Sequence, residues 1–111
     1  MLVEEIRSEA GSGPPIVISG CVGPRGDGYS SSVWMSASEA EEYHSSQITA
    51  LAGTATDMIS ALTLNYAEEA IGITRAAQAA GMPVVISFTV ETDGRLPSGQ
   101  ALKNAIEQVD A

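Results

Sequence analysis

Ile16-Val17-Ile18-Ser19-Gly20-Cys21-Val22-Gly23-Pro24-Arg25-Gly26-Asp27-Gly28-Tyr29 holds the transition that decides the fold. A short β-branched run, bounded by prolines and Gly20, predicts a buried strand over Ile16 to Ser19. A long loop from Gly20 to Trp34 follows. Loops of this length are uncommon in compact domains and are usually functional or mobile; glycine either shapes a turn or lets the backbone approach a ligand closely. Two further segments repeat the plan. Met58 to Leu62 runs into Thr63-Leu64-Asn65, and Val84 to Val90 runs into the turn signal Glu91-Thr92-Asp93-Gly94. Each apolar run turns polar at its carboxyl end and then enters a helix-patterned segment. Strands alternating with helices imply an α/β fold: three consecutive β-loop-α units with a parallel sheet. In such folds ligands gather at the carboxyl ends of the strands. Here those ends are Ser19-Gly20-Cys21, Thr63-Leu64-Asn65 and Ser87-Phe88-Thr89.

The intervening segments read as helices. Leu2, Val3 and Ile6 share one face of a helix over Leu2 to Ala10, which Gly11 to Pro15 stops. Ser38-Glu39-Ala40-Glu41 predicts a capping box for a helix running to about Ala52, with Gly53 just past its end and Tyr43, Gln47, Ala50 and Leu51 on one face. Asn65 with Glu68 predicts a second capped start, and Ala67, Ala70, Ile71, Thr74 and Ala77 follow at helical spacing until Gly81. Ser98 can cap a last helix with Leu102, Ala105, Ile106 and Val109 on one side. That first helix has no cap before residue 1, and the chain stops where another connection to a strand is expected. It reads as a segment of a larger array.

With 111 residues the chain is one domain, and 44% hydrophobic residues suffice for a core. Fourteen acidic and five basic residues give a formal charge of −9, which excludes nucleic acid and an anionic membrane surface as partners. Cys21 is the one cysteine, so there is no internal disulfide and no all-cysteine metal site. A reducing, cytoplasmic setting fits. Residues 1 to 9 carry three acidic groups, Glu4, Glu5 and Glu9, and no signal-peptide pattern, and no stretch approaches the ~20 apolar residues that span a bilayer.

Several motifs are excluded by their context. There is no phosphate-binding G-x-x-x-x-G-K-[ST], and the first glycines do not give G-x-G-x-x-G opening into a helix. Arg25-Gly26-Asp27 is too short a match to mean cell adhesion. His44, the one histidine, has no second ligand at metal spacing and reads as a helix-surface residue. Cys21 reads as a structural thiol with Arg25 nearby in sequence. Glu68-Glu69 and Glu41-Glu42 read as solvated faces or caps, whereas Glu91 and Asp93, past a strand end, are better placed for polar work.

The loop Ser19 to Tyr29, with Glu42-Tyr43-His44, Gly53 to Asp57 and Val85-Ile86-Ser87-Phe88-Thr89, resembles the homocysteine S-methyltransferase family in order and spacing over nearly the whole chain. The resemblance implies a (β/α)8 TIM-type barrel, of which this chain would be three consecutive units from the middle. It implies methyl transfer from a donor such as S-methylmethionine or betaine to the thiol of homocysteine, giving methionine. It also implies zinc, which activates the thiol as a thiolate. The family's three zinc cysteines and its opening acidic-glycine motif have no counterpart here. The glutamate that in many members holds the homocysteine amino group aligns with Leu62, while Thr63 is kept.

By this resemblance Thr63, Ser87 and Thr89 are the candidate substrate-binding residues, at strand ends facing the pocket mouth. No catalytic residue and no metal ligand is assigned within the chain. The isolated chain is expected to be inactive, with two unpaired sheet edges through which it self-associates. The rival expectation is a non-catalytic α/β binding or assembly module derived from a barrel.

Overall fold

The computed structural model describes residues 2–11, 15–25 and 34–110. The elements are α1 (Leu2–Ala10), β1 (Ser19–Val22), α2 (Ala37–Ala52), β2 (Met58–Leu64), α3 (Ala67–Ala79), β3 (Val84–Phe88) and α4 (Leu102–Asp110). The three strands form one parallel sheet in the order β1-β2-β3, with α2 and α3 as the crossovers. Strand residues that alternate inward, Val22, Ile59, Ala61 and Leu64, pack against Ile48 of α2 and Ala70, Ile73, Ala76 and Ala77 of α3. The opposite face of the sheet, with Ser19, Cys21, Leu62, Val85 and Ser87, is exposed among the described residues. A smaller cluster of Ala67, Leu96 and Ala105 against Phe88 seats α4 and the loop before it.

The first strand lies three residues later than its apolar run predicts. Ile16 and Val17 are exposed, and only Ile18 of that run is buried. Asp57 is the cause. Its carboxylate accepts from the Ile18 amide at 2.8 Å, and its own amide donates to the Ile18 carbonyl at 2.8 Å. The ladder therefore begins at Ser19↔Met58. Arg7 of α1 reaches the same carboxylate at 2.6 Å and ties that helix to the start of the sheet. The Ile18 amide, aided by the Arg7 charge, holds the Asp57 carboxyl below its ordinary value.

Helix starts also differ in frame. Ser36, not Ser38, caps α2: its hydroxyl accepts from the Glu39 amide at 3.2 Å, and Glu39 accepts from the Ser36 amide at 3.3 Å. The buried stripe of α2 is consequently Ala40, His44 and Ile48, with Leu51 half-buried, while Tyr43 is exposed. Tyr66 occupies the N-cap of α3 without a side-chain cap bond, and Asn65, expected there, is buried one residue earlier. Ser98 accepts from the Gln100 amide in the turn ahead of α4 instead of capping the helix. β3 ends at Phe88, two residues short of the expected run, although Thr89 still donates its amide to the Leu64 carbonyl at 2.9 Å.

Helices α2 and α3 touch at Gly72. A Cβ built there would lie 2.5 Å from Ala40 Cβ and 2.7 Å from the Ala37 carbonyl oxygen, so only glycine admits this approach. Among the described residues no helix is long and apolar enough to cross a membrane.

Candidate functional site

The carboxyl ends of the strands meet at one edge of the sheet, and β2 is irregular there. Its pairing with β3 runs Ala61↔Ile86 and then Leu64↔Phe88. Leu62 and Thr63 thus stand opposite Ser87 alone, which is a β-bulge. Regular alternation would turn Thr63 inward and Leu64 outward. Instead Leu62 is 44% exposed, Thr63 is exposed, and Leu64 returns to the core at 0%. Thr63 makes this possible with φ of +57°, the single positive φ on a non-glycine among the described residues. For a β-branched residue this conformation is a marked outlier. Its hydroxyl donates to the Leu62 carbonyl at 2.7 Å.

Of the residues expected at the mouth, the bulge brings Thr63 across from Ser87, and Thr89 follows at the same end, half-buried. On the open face behind them the hydroxyls of Ser19 and Ser60 lie 2.5 Å apart, and Cys21 is exposed. Glu91 and Asp93 do not join this group. Both are exposed in the predicted turn, where Gly94 at φ of +77° donates to the Glu91 carbonyl and Asp93 accepts from the Arg95 amide at 2.9 Å.

A second constellation, missed by the sequence reading, lies on the helix side. His44 and Glu69 are each 1% exposed, not surface residues as expected. His44 Nε2 and Glu69 Oε2 are 2.9 Å apart, and the Arg25 amide donates to the same Oε2 at 2.8 Å. A carboxylate oxygen accepts, so Nε2 carries the proton of this bond. The Arg25 guanidinium lies over the Tyr43 ring at 4.8 Å, with Nη1 3.7 Å from Met35 Sδ. Three residues before Glu69, the Tyr66 hydroxyl accepts from the Met35 amide at 2.9 Å, and its ring lies 4.7 Å from that of Trp34. Burial pushes the Tyr66 hydroxyl above its ordinary pKa. The start of α3 thereby holds both sides of the glycine-rich connection, at Arg25 and at Met35. Gly26 to Val33, including most of the Arg25-Gly26-Asp27 triplet, lie outside the described residues.

A groove of about 820 Å³ runs between α3, β3 and α4 along the outer edge of the sheet, lined by Ile71, Val84, Ile86, Phe88, Leu102 and Ile106. It follows β3 from Val84 to its carboxyl end, where Ser87 also lines it. Among the described residues no group of three or more His, Cys, Asp or Glu side chains can hold a metal ion. The one imidazole is committed to Glu69, and the one thiol lies on the open face of β1. The described residues do not fit a zinc site.

Parallel strands joined by helices, with one sheet face covered and the other open, match consecutive β/α units of a TIM-type barrel. The family model for homocysteine S-methyltransferase matches residues 1–111, and the chain belongs to this family. It is similar to the apo crystal structure of the homocysteine methyltransferase MmuM from Escherichia coli, with a TM-score of 0.79 and 19% identity. The match covers 97% of this chain and 39% of that one, so the chain spans about two-fifths of the length of the solved barrel. No curated protein matches the chain.

Proposed function

We propose that this chain supplies part of the methyl-acceptor pocket of a homocysteine S-methyltransferase, and is incompetent for turnover alone. Homocysteine is the acceptor, a donor such as S-methylmethionine or betaine provides the methyl group, and methionine is the product. Thr63, Ser87 and Thr89 line the mouth on the acceptor side. Thiol activation by zinc falls to residues of a complete barrel that this chain does not contain, and the setting is the cytoplasm. The observation that carries the reading is the bulge, which puts Leu62 and Thr63 opposite Ser87 at the strand ends in a chain of this family. Leu62 offers no charge to an ammonium group, so the homocysteine amino group must find its partner elsewhere.

The experiment has two arms. The folded chain is titrated with L-homocysteine by calorimetry, then supplied with homocysteine, S-methylmethionine and zinc while methionine is measured. Binding without methionine formation is expected. Zinc-dependent turnover would overturn the segment reading, and failure of the folded chain to bind homocysteine would overturn the pocket reading.

A second reading, an assembly module without chemistry, is favoured by the open face carrying Leu62 at 44% and Val85 at 49% exposure, and by the outer edges of β1 and β3, which pair with no other strand among the described residues. Light scattering separates the two. A discrete oligomer that binds no homocysteine favours assembly, and a homocysteine-binding species favours the pocket.

A further inference from the structure

Thr63 is held in a conformation that its side chain disfavours, and nothing in the core requires threonine there. Its side chain is exposed, and among the described residues its hydroxyl bonds the carbonyl of the preceding residue alone. What the kink accomplishes is directional. It lets Leu64 return to full burial while two successive side chains, Leu62 and Thr63, remain on the open face opposite Ser87. A regular strand would present only one of them. Strain of this kind persists where the surroundings over-determine it, and it collects at sites that need a fixed geometry. Both neighbours fit that condition. Leu64 is locked in the core cluster and its carbonyl is taken by the Thr89 amide, and Ala61 is at 0% exposure and paired on both sides.

From this we infer that Thr63 is a positioning residue, whose left-handed backbone fixes the Leu62–Thr63 wall against Ser87 as one side of the acceptor pocket. Stability is given up for that geometry. The inference rests on the homocysteine-pocket reading above. It separates two properties that a purely structural residue would move together. Thr63→Gly adopts the same φ without strain but also frees the backbone to leave it. Thr63→Asn relieves strain, since asparagine tolerates this region, and keeps a short polar side chain.

The test measures the thermal midpoint and homocysteine affinity of the 111-residue chain and of both variants. Thr63→Gly should melt a few degrees higher and bind L-homocysteine about tenfold more weakly, a change of ~1.4 kcal/mol. Thr63→Asn should melt higher, and should lose less affinity than Thr63→Gly because it keeps the left-handed backbone. A Thr63→Gly variant that melts lower would overturn the claim of strain. One that melts higher with unchanged affinity would overturn the positioning role. Absence of homocysteine binding by the unsubstituted chain would overturn the pocket reading, and this inference with it.

Discussion

Gly72→Ala sets helix propensity against packing, and the structure decides the sign. In an exposed helix interior the exchange gains about 1 kcal/mol. At Gly72 the new methyl would meet Ala40 Cβ at 2.5 Å, the Glu41 amide nitrogen at 2.6 Å and the Ala37 carbonyl oxygen at 2.7 Å. Ordinary carbon contacts lie at about 3.5–4.0 Å, so α2 must retreat by roughly 1 Å. Two of the three obstacles are backbone in the first turn of α2, a turn pinned by the Ser36–Glu39 box, so no side-chain rotation relieves them. Overpacking of this kind costs about 1–3 kcal/mol and occasionally more. The retreat also draws His44 away from Glu69, whose 2.9 Å contact bridges the same two helices. The helix gain does not offset these losses, and a net destabilisation of about 1–3 kcal/mol is expected. In a domain near this size that lowers the melting midpoint by roughly 5–15 °C. Thermal and urea unfolding followed by far-ultraviolet circular dichroism measures it. Gly53→Ala is the control: its φ is −80°, its nearest contact would be an ordinary 3.5 Å, and a change within about 1 kcal/mol is expected. A Gly72→Ala chain as stable as the parent would refute the close approach of α2 and α3.

Glu69→Ala leaves the His44 Nε2 and Arg25 amide donors without their acceptor, and a loss of about 2–5 kcal/mol is expected by urea unfolding; Glu69→Gln, which keeps an acceptor oxygen, should lose less. Ser36→Ala should cost about 1 kcal/mol and Ser38→Ala close to nothing, and the opposite ranking would restore the capping frame that the sequence suggests. Asp57 titrates below its ordinary value near 3.8 because the Ile18 amide and Arg7 favour the carboxylate. Its contribution to stability is therefore complete above that value and is lost as the pH falls through its lower folded-state value. Asp57→Asn should flatten the acid limb of stability against pH, and an unchanged limb would remove Asp57 as its source.

The alternation of strands and helices was legible because apolar runs of strand length and glycine stops repeat through the chain. Boundaries set by single polar contacts were not. The run Ile16-Val17-Ile18 reads as a strand by hydrophobicity, but the Asp57 carboxylate occupies the Ile18 amide and starts the ladder at Ser19. Ser36-Ala37-Ser38-Glu39-Ala40-Glu41 contains two overlapping S-x-x-E frames, and propensity does not choose between them. Burial of His44 had a usable signal: it stands midway between Ala40 and Ile48 at i, i+4 spacing, on a stripe that the Tyr43 and Gln47 face displaced from view. Burial of Glu69 had none, since it depends on donors 25 and 44 residues away. The bulge was equally hidden. Leu62-Thr63-Leu64 alternates as a regular strand would, and only the return of Leu64 to the core reveals the extra residue.

The stretch from Leu62 to Glu69 connects the two constellations. Its first two residues turn outward to the mouth of the sheet, Leu64 returns to the core, and Tyr66 and Glu69 then hold Met35 and Arg25 on either side of the glycine-rich connection. Among the described residues, the central strand and both flanks of the glycine-rich connection thus meet at one β-to-α junction. If the junction acts as a unit, a shift at Thr63 reaches Tyr66 three residues on, whereas loss of Glu69 removes the acceptor of the Arg25 amide. Paired substitutions at these sites distinguish the directions of coupling. If Thr63→Gly changes the fluorescence of Trp34, which lies 4.7 Å from the Tyr66 ring, the junction acts as a unit. If Glu69→Ala shifts Trp34 emission and Thr63→Gly does not, mouth and loop are held independently, and the junction is a shared location without a shared mechanism.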